Sequence, residues 1–554
     1  MKKIVSVLLV VSMLMVVLAP AAAAAKVTRV STPVVFVGGQ EDYIYSDKDD
    51  AESETYLTGD LPKEALDAIS EEIRPQLVDA FVGKWDGYTD GFYRGAMPYY
   101  ENVVLDGDGL PINDTGYDCL KPAEIINKGV NGRYGLYDYQ FIYDWRLDPI
   151  ANADDLNDFV NEVLAVTAKE KVDLVAQGIG CSVVLAYLAK YGSAKVSELV
   201  LDNAALEGSE VYGAMFSGKF TIDPESEATA TFVAQARRNN TLLQVVKQNI
   251  SPENWETMTS VKATRKVYAK IYEVVIPRIM RSVFATMPGV WSLIPADDFD
   301  AAIDGVFTTY EADENTEGFP AQEYAGLIEK IDAYHRSVAV RAAELLAEAQ
   351  NNGVNVYLIA NYGFQMVPVA EDAGQSDVYI SIGSQTLGVT AAAYGKTFDE
   401  DYLAAADEAY LSADGETDAS TGAYADHTWL IKNLENREKP EAVDDLIISI
   451  LGFNGYTNVT DLEEYPQFLY CSNDRVDLSP LKETGDSDYQ ETENENDTTG
   501  KLTLPNIFTF IKNFIEAIVR LVTSVIRTGQ SVEIGDMFSN APITSMVEDE
   551  LNNP

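Results

Sequence analysis

The residues best placed to do chemistry lie between Val172 and Gly192, and the one at their centre has no side chain. Val172-Asp173-Leu174-Val175-Ala176-Gln177-Gly178-Ile179-Gly180-Cys181-Ser182-Val183 reads as a buried strand, a sharp turn and the start of a helix. That is the layout of a nucleophile elbow, G-x-S-x-G, in which a serine is held at the apex between two small residues. Ala176 and Gly180 fill the small positions, but the apex is Gly178, which cannot attack a carbonyl. Glycine suits the strained backbone of such a turn. Cys181 and Ser182 follow closely as alternative nucleophiles. Either of them at the apex would put Val183 or Val184 two residues later, where a β-branched side chain obstructs the approach of strand and helix. Two readings stand: a degenerate apex at Gly178, or a displaced nucleophile at Ser182 or Cys181.

A hydroxyl or thiol nucleophile needs a base to take its proton. The chain has only two histidines. His335 sits in the helical stretch Tyr334-His335-Arg336-Ser337 and reads as a surface or capping residue, which leaves His427 as the candidate base. Metal chemistry is not expected, since no C-x-x-C or H-E-x-x-H pattern occurs, and no cofactor is expected. The three cysteines, Cys119, Cys181 and Cys471, cannot make a disulfide framework without leaving one over.

The elements that would position these residues alternate. Strands are expected at Val34–Val37, Phe141–Asp144, Val172–Ala176, Val196–Asp202 and Val354–Asn361, with helices at Ala153–Thr167, Val183–Tyr191 and Asp332–Asn351. This order implies an α/β domain with a mainly parallel sheet flanked by helices. Residues 208–295 are largely helical with apolar and aromatic patches such as Met215-Phe216 and Val274-Val275-Ile276, and read as an inserted cap. Residues 472–500 are rich in Asp, Glu, Ser and Thr and read as a solvated acidic linker.

Both ends of the chain carry further signals. Lys2-Lys3, the apolar run Ile4–Leu18 and Ala23-Ala24-Ala25 have the form of a secretory signal over residues 1–25, of bacterial type, so export is expected. Roughly 530 residues would remain, enough for a large domain over 26–471 and a tail over 501–554. In that tail Leu504-Pro505 opens an amphipathic helix that Gly529 closes, with Phe510, Phe514 and Ile518 on its broad apolar face. Over 505–527 this helix either lies on a membrane surface or docks on the protein's own core. With 88 acidic against 40 basic residues the net charge is −48, which argues against nucleic acid as a partner.

A family resemblance gathers these features. Tyr143-Asp144-Trp145-Arg146, followed by a helix and then the elbow strand, resembles the lecithin:cholesterol acyltransferase-like and lipase branch of the α/β-hydrolases. Pro33–Gln40 is similar to the family's first strand and loop, and Met287–Pro295 to a cap segment. The resemblance spans about Pro33 to Leu451 and implies an α/β-hydrolase fold built for lipid ester hydrolysis or O-acyl transfer. It implies Asp377 as the acid, with Val378 where the family has glycine, and the backbone amides of Gln40 and Ile179 as the oxyanion hole. The base falls on His427 or, in another register, on Asn436, where it would be missing. The reading that results is an inactive pseudo-hydrolase binding a lipid or other apolar ligand under its cap. An active esterase using Ser182 or Cys181, and a surface-associated structural protein, are the alternatives.

Overall fold

Apolar β-branched runs bounded by turn residues become strands, and the computed structural model assembles eight of them into one sheet. They are β1 Val34–Val37, β2 Tyr139–Phe141, β3 Val172–Gln177, β4 Val196–Asp202, β5 Asn355–Tyr362, β6 Thr428–Lys432, β7 Phe468–Cys471 and β8 Leu478–Pro480. Their spatial order is β8-β7-β6-β5-β4-β3-β1-β2. All neighbours pair in parallel except β7 with β8. A parallel sheet is covered on both faces, and every residue of β1 and β3 is accordingly buried.

The structure describes residues 32–39, 44–48, 53, 55–56, 63–76, 84–116, 139–223, 226, 229, 269–308, 318–367, 374–435, 440–453, 455–473 and 475–482. The chain divides into two units, residues 1–239 with 262–491 and residues 240–261 with 492–554. The second lies outside the described residues, as do the expected signal segment, Gln40, Asn436, Cys119 and the amphipathic tail.

Parallel neighbours need crossovers, and helices supply them. The described helices used below are α1 Pro149–Thr167, α2 Gly180–Tyr191, α3 Glu210–Phe216, α4 Ile276–Ser282, α5 Phe299–Val306, α6 Ala325–Ser337, α7 Ala342–Asn351 and α8 Glu441–Leu451. α1 begins on a capped turn, with Asp148 accepting from the Ile150 N–H at 2.9 Å and Pro149 at the first helical position. α8 covers one face of the sheet, packing Leu446, Ile447 and Ile450 with Val175, Val200, Tyr357 and Trp429. The long excursion between β4 and β5 holds α3 to α7, and the expected cap residues fall within it.

Several expected boundaries move for local reasons. The strand expected to run to Asp144 ends at Phe141, because Asp144 turns out of the ladder to bind Arg146. The single helix expected over Asp332–Asn351 is broken between α6 and α7, where the Ser337 hydroxyl bonds back to the Ala333 carbonyl at 2.6 Å. β6 and β7 were not among the expected strands, and β8 lies inside the stretch read as linker. Among the described residues no helix is long and apolar enough to cross a membrane.

Candidate functional site

The elbow is built from β3, Gly178 and α2. Gly178 has φ +52°, the left-handed backbone that a side chain at such an apex must adopt, and its N–H donates to the Asp202 carbonyl at 3.0 Å. Among the described residues a Cβ at this position would meet nothing nearer than the Gly39 Cα at 4.0 Å. Gly180 is the opposite case. A Cβ there would come within 2.4 Å of the Val37 carbonyl oxygen and 2.5 Å of that of Gly38, so the first turn of α2 presses directly on the end of β1. The Tyr143 hydroxyl holds the same Gly38 carbonyl at 2.7 Å. The Ile179 N–H, at the start of α2, has no acceptor among the described residues.

Neither alternative nucleophile reaches the apex. Cys181 is buried with its Sγ 3.7 Å from the Asp202 carbonyl oxygen, and burial, aided by the Asp202 charge, pushes its thiol pKa well up. A thiolate is the reactive form, and this environment suppresses it. Ser182 is buried inside α2, where it accepts from the Ser292 hydroxyl at 2.9 Å and pairs with Tyr334. Its contacts tie α2 to the cap segment and to α6.

The loop carrying Asp377, the expected acid, follows β5 and stands at the same, carboxyl end of the sheet as Gly178. Asp377 is fully buried, and its Oδ1 accepts from the N–H groups of Tyr379 at 2.9 Å and Ile380 at 2.7 Å. Gln385 staples this loop to β5, taking the Asn361 N–H on its oxygen and giving its amide hydrogens to the carbonyls of Asn361 and Ile380. Val378 holds φ +95°, an outlier for a β-branched residue.

His427 lies elsewhere. It precedes β6, and register aligns Gln177 with Asp202, Asp202 with Ile359 and Ile359 with Trp429. His427 is therefore three strands and about three rows from Gly178, roughly 14 Å across and 10 Å along by strand spacing. Hydrogen-bond reach is about 3 Å, so His427 is not the base of this site. Its ring stacks on Tyr456 at 3.5 Å and its Nδ1 pairs with the Thr457 carbonyl at 2.8 Å. His335 stacks on Phe299 of α5 at 4.0 Å. At the carboxyl end of β6 the chain continues as Asn433-Leu434-Glu435, with Asn433 bonded to the Cys471 carbonyl at 2.9 Å and to Asn473 at 3.1 Å. Neither histidine of the chain stands there, and Asn436 is outside the described residues.

The Tyr143-Asp144-Trp145-Arg146 block is a structural staple. Arg146 is fully buried and its guanidinium meets Asp144 at 2.6 and 3.0 Å, the Val103 carbonyl at 3.1 Å and the Thr115 carbonyl at 3.1 Å. The cap segment rests on it: a Cβ on Gly289 would lie 1.9 Å from the Trp145 carbonyl oxygen, and the Gly289 N–H donates to that of Arg146.

Three residues at this end were not singled out from the sequence. Gln177 ends β3, Asn203 follows β4 and Asn361 is the penultimate residue of β5, all three as buried carboxamides. The available signal was an amide at or near the end of each apolar run.

An eight-stranded, mostly parallel sheet flanked by helices, with a strand–turn–helix elbow at its carboxyl end, defines an α/β-hydrolase-like fold. No family model matches the chain, and no curated protein matches it. Among solved structures it is similar to a chain of the Tle4-Tli4 complex, at 13% identity over 60% of this chain and 75% of that one, TM-score 0.24. It is also similar to the DBJA mutant dbja delta, at 14% identity over 57% of this chain and 92% of that one, TM-score 0.14. Among the described residues no group of His, Cys, Asp and Glu is placed to hold a metal ion.

Proposed function

We propose that this chain is an exported pseudo-hydrolase of the lecithin:cholesterol acyltransferase-like and lipase lineage, one that binds a lipid or other apolar ligand without turning it over. The observation that carries this reading is the apex itself: Gly178 holds the backbone of a nucleophile with no attacking atom. The position of His427 supports it, because this histidine is out of reach of an attacking serine at the apex. Export rests on the signal-like residues 1–25, and a mature chain recovered outside the cytoplasmic membrane with its N-terminus near Lys26 is expected.

The test is chemical. The full-length protein should take no label from a fluorophosphonate probe and should hydrolyse no p-nitrophenyl ester above background. Gly178→Ser should leave ester hydrolysis at least about a thousandfold below a working triad, since triad members act as a unit. Turnover by the unmodified protein that disappears in Ser182→Ala or Cys181→Ala would install the active-esterase reading instead. Extraction of the purified protein with organic solvent should release a bound apolar molecule; an empty extract from an inactive protein would favour a purely structural role.

A further inference from the structure

The loop from Leu105 to Gly116 carries a pattern that the elbow does not use. Asn113-Asp114-Thr115 is an N-x-T triplet, the acceptor sequence for a glycan on the asparagine of an exported chain. Leu105 bridges to Pro111 and Gly116 bridges to Tyr45. Between those two bridges Ile112, Asn113 and Asp114 are exposed. The triplets that begin at Asn239, Asn249 and Asn496 lie outside the described residues.

The third residue of the triplet is anchored from inside the protein. Thr115 is 3% exposed, and buried Arg146 donates to its hydroxyl at 3.4 Å and to its carbonyl at 3.1 Å. A hydroxyl that accepts from a guanidinium turns its own hydrogen elsewhere. The Thr115 hydroxyl donates to Asn113 Oδ1 at 2.9 Å, closer than the Asn102 carbonyl at 3.3 Å. The carboxamide oxygen is thus held, and Nδ2, the atom a glycan joins, has no acceptor among the described residues. Asn458-Val459-Thr460 repeats the arrangement, with Asn458 Oδ1 accepting from the Thr460 N–H at 3.0 Å and its hydroxyl at 2.9 Å. That asparagine is half-buried, whereas Asn113 is open to a large enzyme.

A second observation falls on the same loop. Leu110 and Ile112 are 47 and 63% exposed, and Ile112 is the most exposed of the large apolar side chains described. Asp106, Asp108 and Asp114 surround them in sequence, a charge that repels an anionic lipid surface. A sugar ring, with C–H groups on its faces and hydroxyls at its rim, suits an apolar spot set among carboxylates. We infer that Asn113 is a glycan attachment site and that its sugar covers Ile112 and Leu110. In the transfer, Nδ2 bonds to the anomeric carbon of a sugar carried on a lipid phosphate. The anomeric C–O bond breaks, the lipid phosphate leaves with the electron pair, and Nδ2 releases one proton to a base of the membrane transferase. Because that donor is met on the way out of the cytoplasm, the inference rests on the export proposed above.

The full-length protein is purified from the cells that make it, and its N-terminus, intact mass and Asn113 peptide are read by mass spectrometry. A start near Lys26 is expected, with fragment ions that place a sugar on Asn113. Asn113→Gln, a change on an exposed turn, should lower the intact mass by one glycan. By baring Ile112 it should also bind more of the neutral apolar dye Nile red. Thr115→Ser keeps the hydroxyl and should keep the glycan. An exported chain starting near Lys26 with a bare Asn113, or with sugar at Asn458 alone, would overturn the inference and leave export standing. A chain retained inside the cell with residues 1–18 in place would overturn both. Equal Nile red binding by the glycosylated protein and Asn113→Gln would overturn the covering of Ile112.

Discussion

Val378 is the residue whose backbone and side chain disagree most. Its φ of +95° belongs to glycine, and a β-branched residue there stores about 1–3 kcal/mol of strain. Replacing it with glycine relieves that strain but adds freedom to the unfolded chain, which takes back about 0.4–1 kcal/mol. Val378→Gly should therefore raise the urea midpoint by the equivalent of about 1 kcal/mol, and an unchanged midpoint would show a loop without strain. Glu198 is one residue that couples the fold to pH. Burial raises its carboxyl from 4.5 to about 7, with Asn355 donating to one oxygen at 3.0 Å and pulling weakly the other way. The folded state holds the proton more tightly than the unfolded chain does. The stabilisation is thus fully present below about pH 4.5 and is lost as pH rises through about 7. Thermal unfolding across this window should lose a component in the native protein that Glu198→Gln lacks.

At the scale of elements, the buried Asp144–Arg146 pair joins β2, the 101–116 segment and the cap. Removing one partner strands a charge in the interior, so Arg146→Met should cost about 3–5 kcal/mol in denaturant unfolding, while Arg146→Met with Asp144→Leu should recover much of it. The elements also differ in how readable they were. β1 and β4 were expected at Val34–Val37 and Val196–Asp202 and occupy those residues; β1 is a continuous apolar run buried on both faces, and β4 is announced by Leu199-Val200-Leu201 after the half-buried Ser197 and Glu198. β6 is five residues long and begins beside a histidine that drew attention to chemistry rather than to pairing. The apex at Gly178 was legible because the elbow demands small residues at fixed spacing. The distance of His427 from it was not, because register across β4, β5 and β6 is set by tertiary pairing. The three carboxamides were equally hidden, for an amide at or near the end of a strand looks like the start of a loop.

Over the whole molecule, 88 acidic residues against 40 basic ones make self-repulsion a steady load on the folded state. Screening acts within about 10 Å at 0.1 M salt, so Tm should climb between low salt and several tenths molar sodium chloride, and a flat profile would mean the charges are already compensated. The same molecule has to keep a large sheet from recruiting other copies. Among the described residues its outermost strands are β2 and β8, three residues each, and β8 runs against its neighbour and ends on Pro480. Proline offers no N–H for another ladder, and a rim three residues long gives an incoming chain little to zip onto. In a crowded solution the sheet should therefore not seed stacking with further copies through these rims.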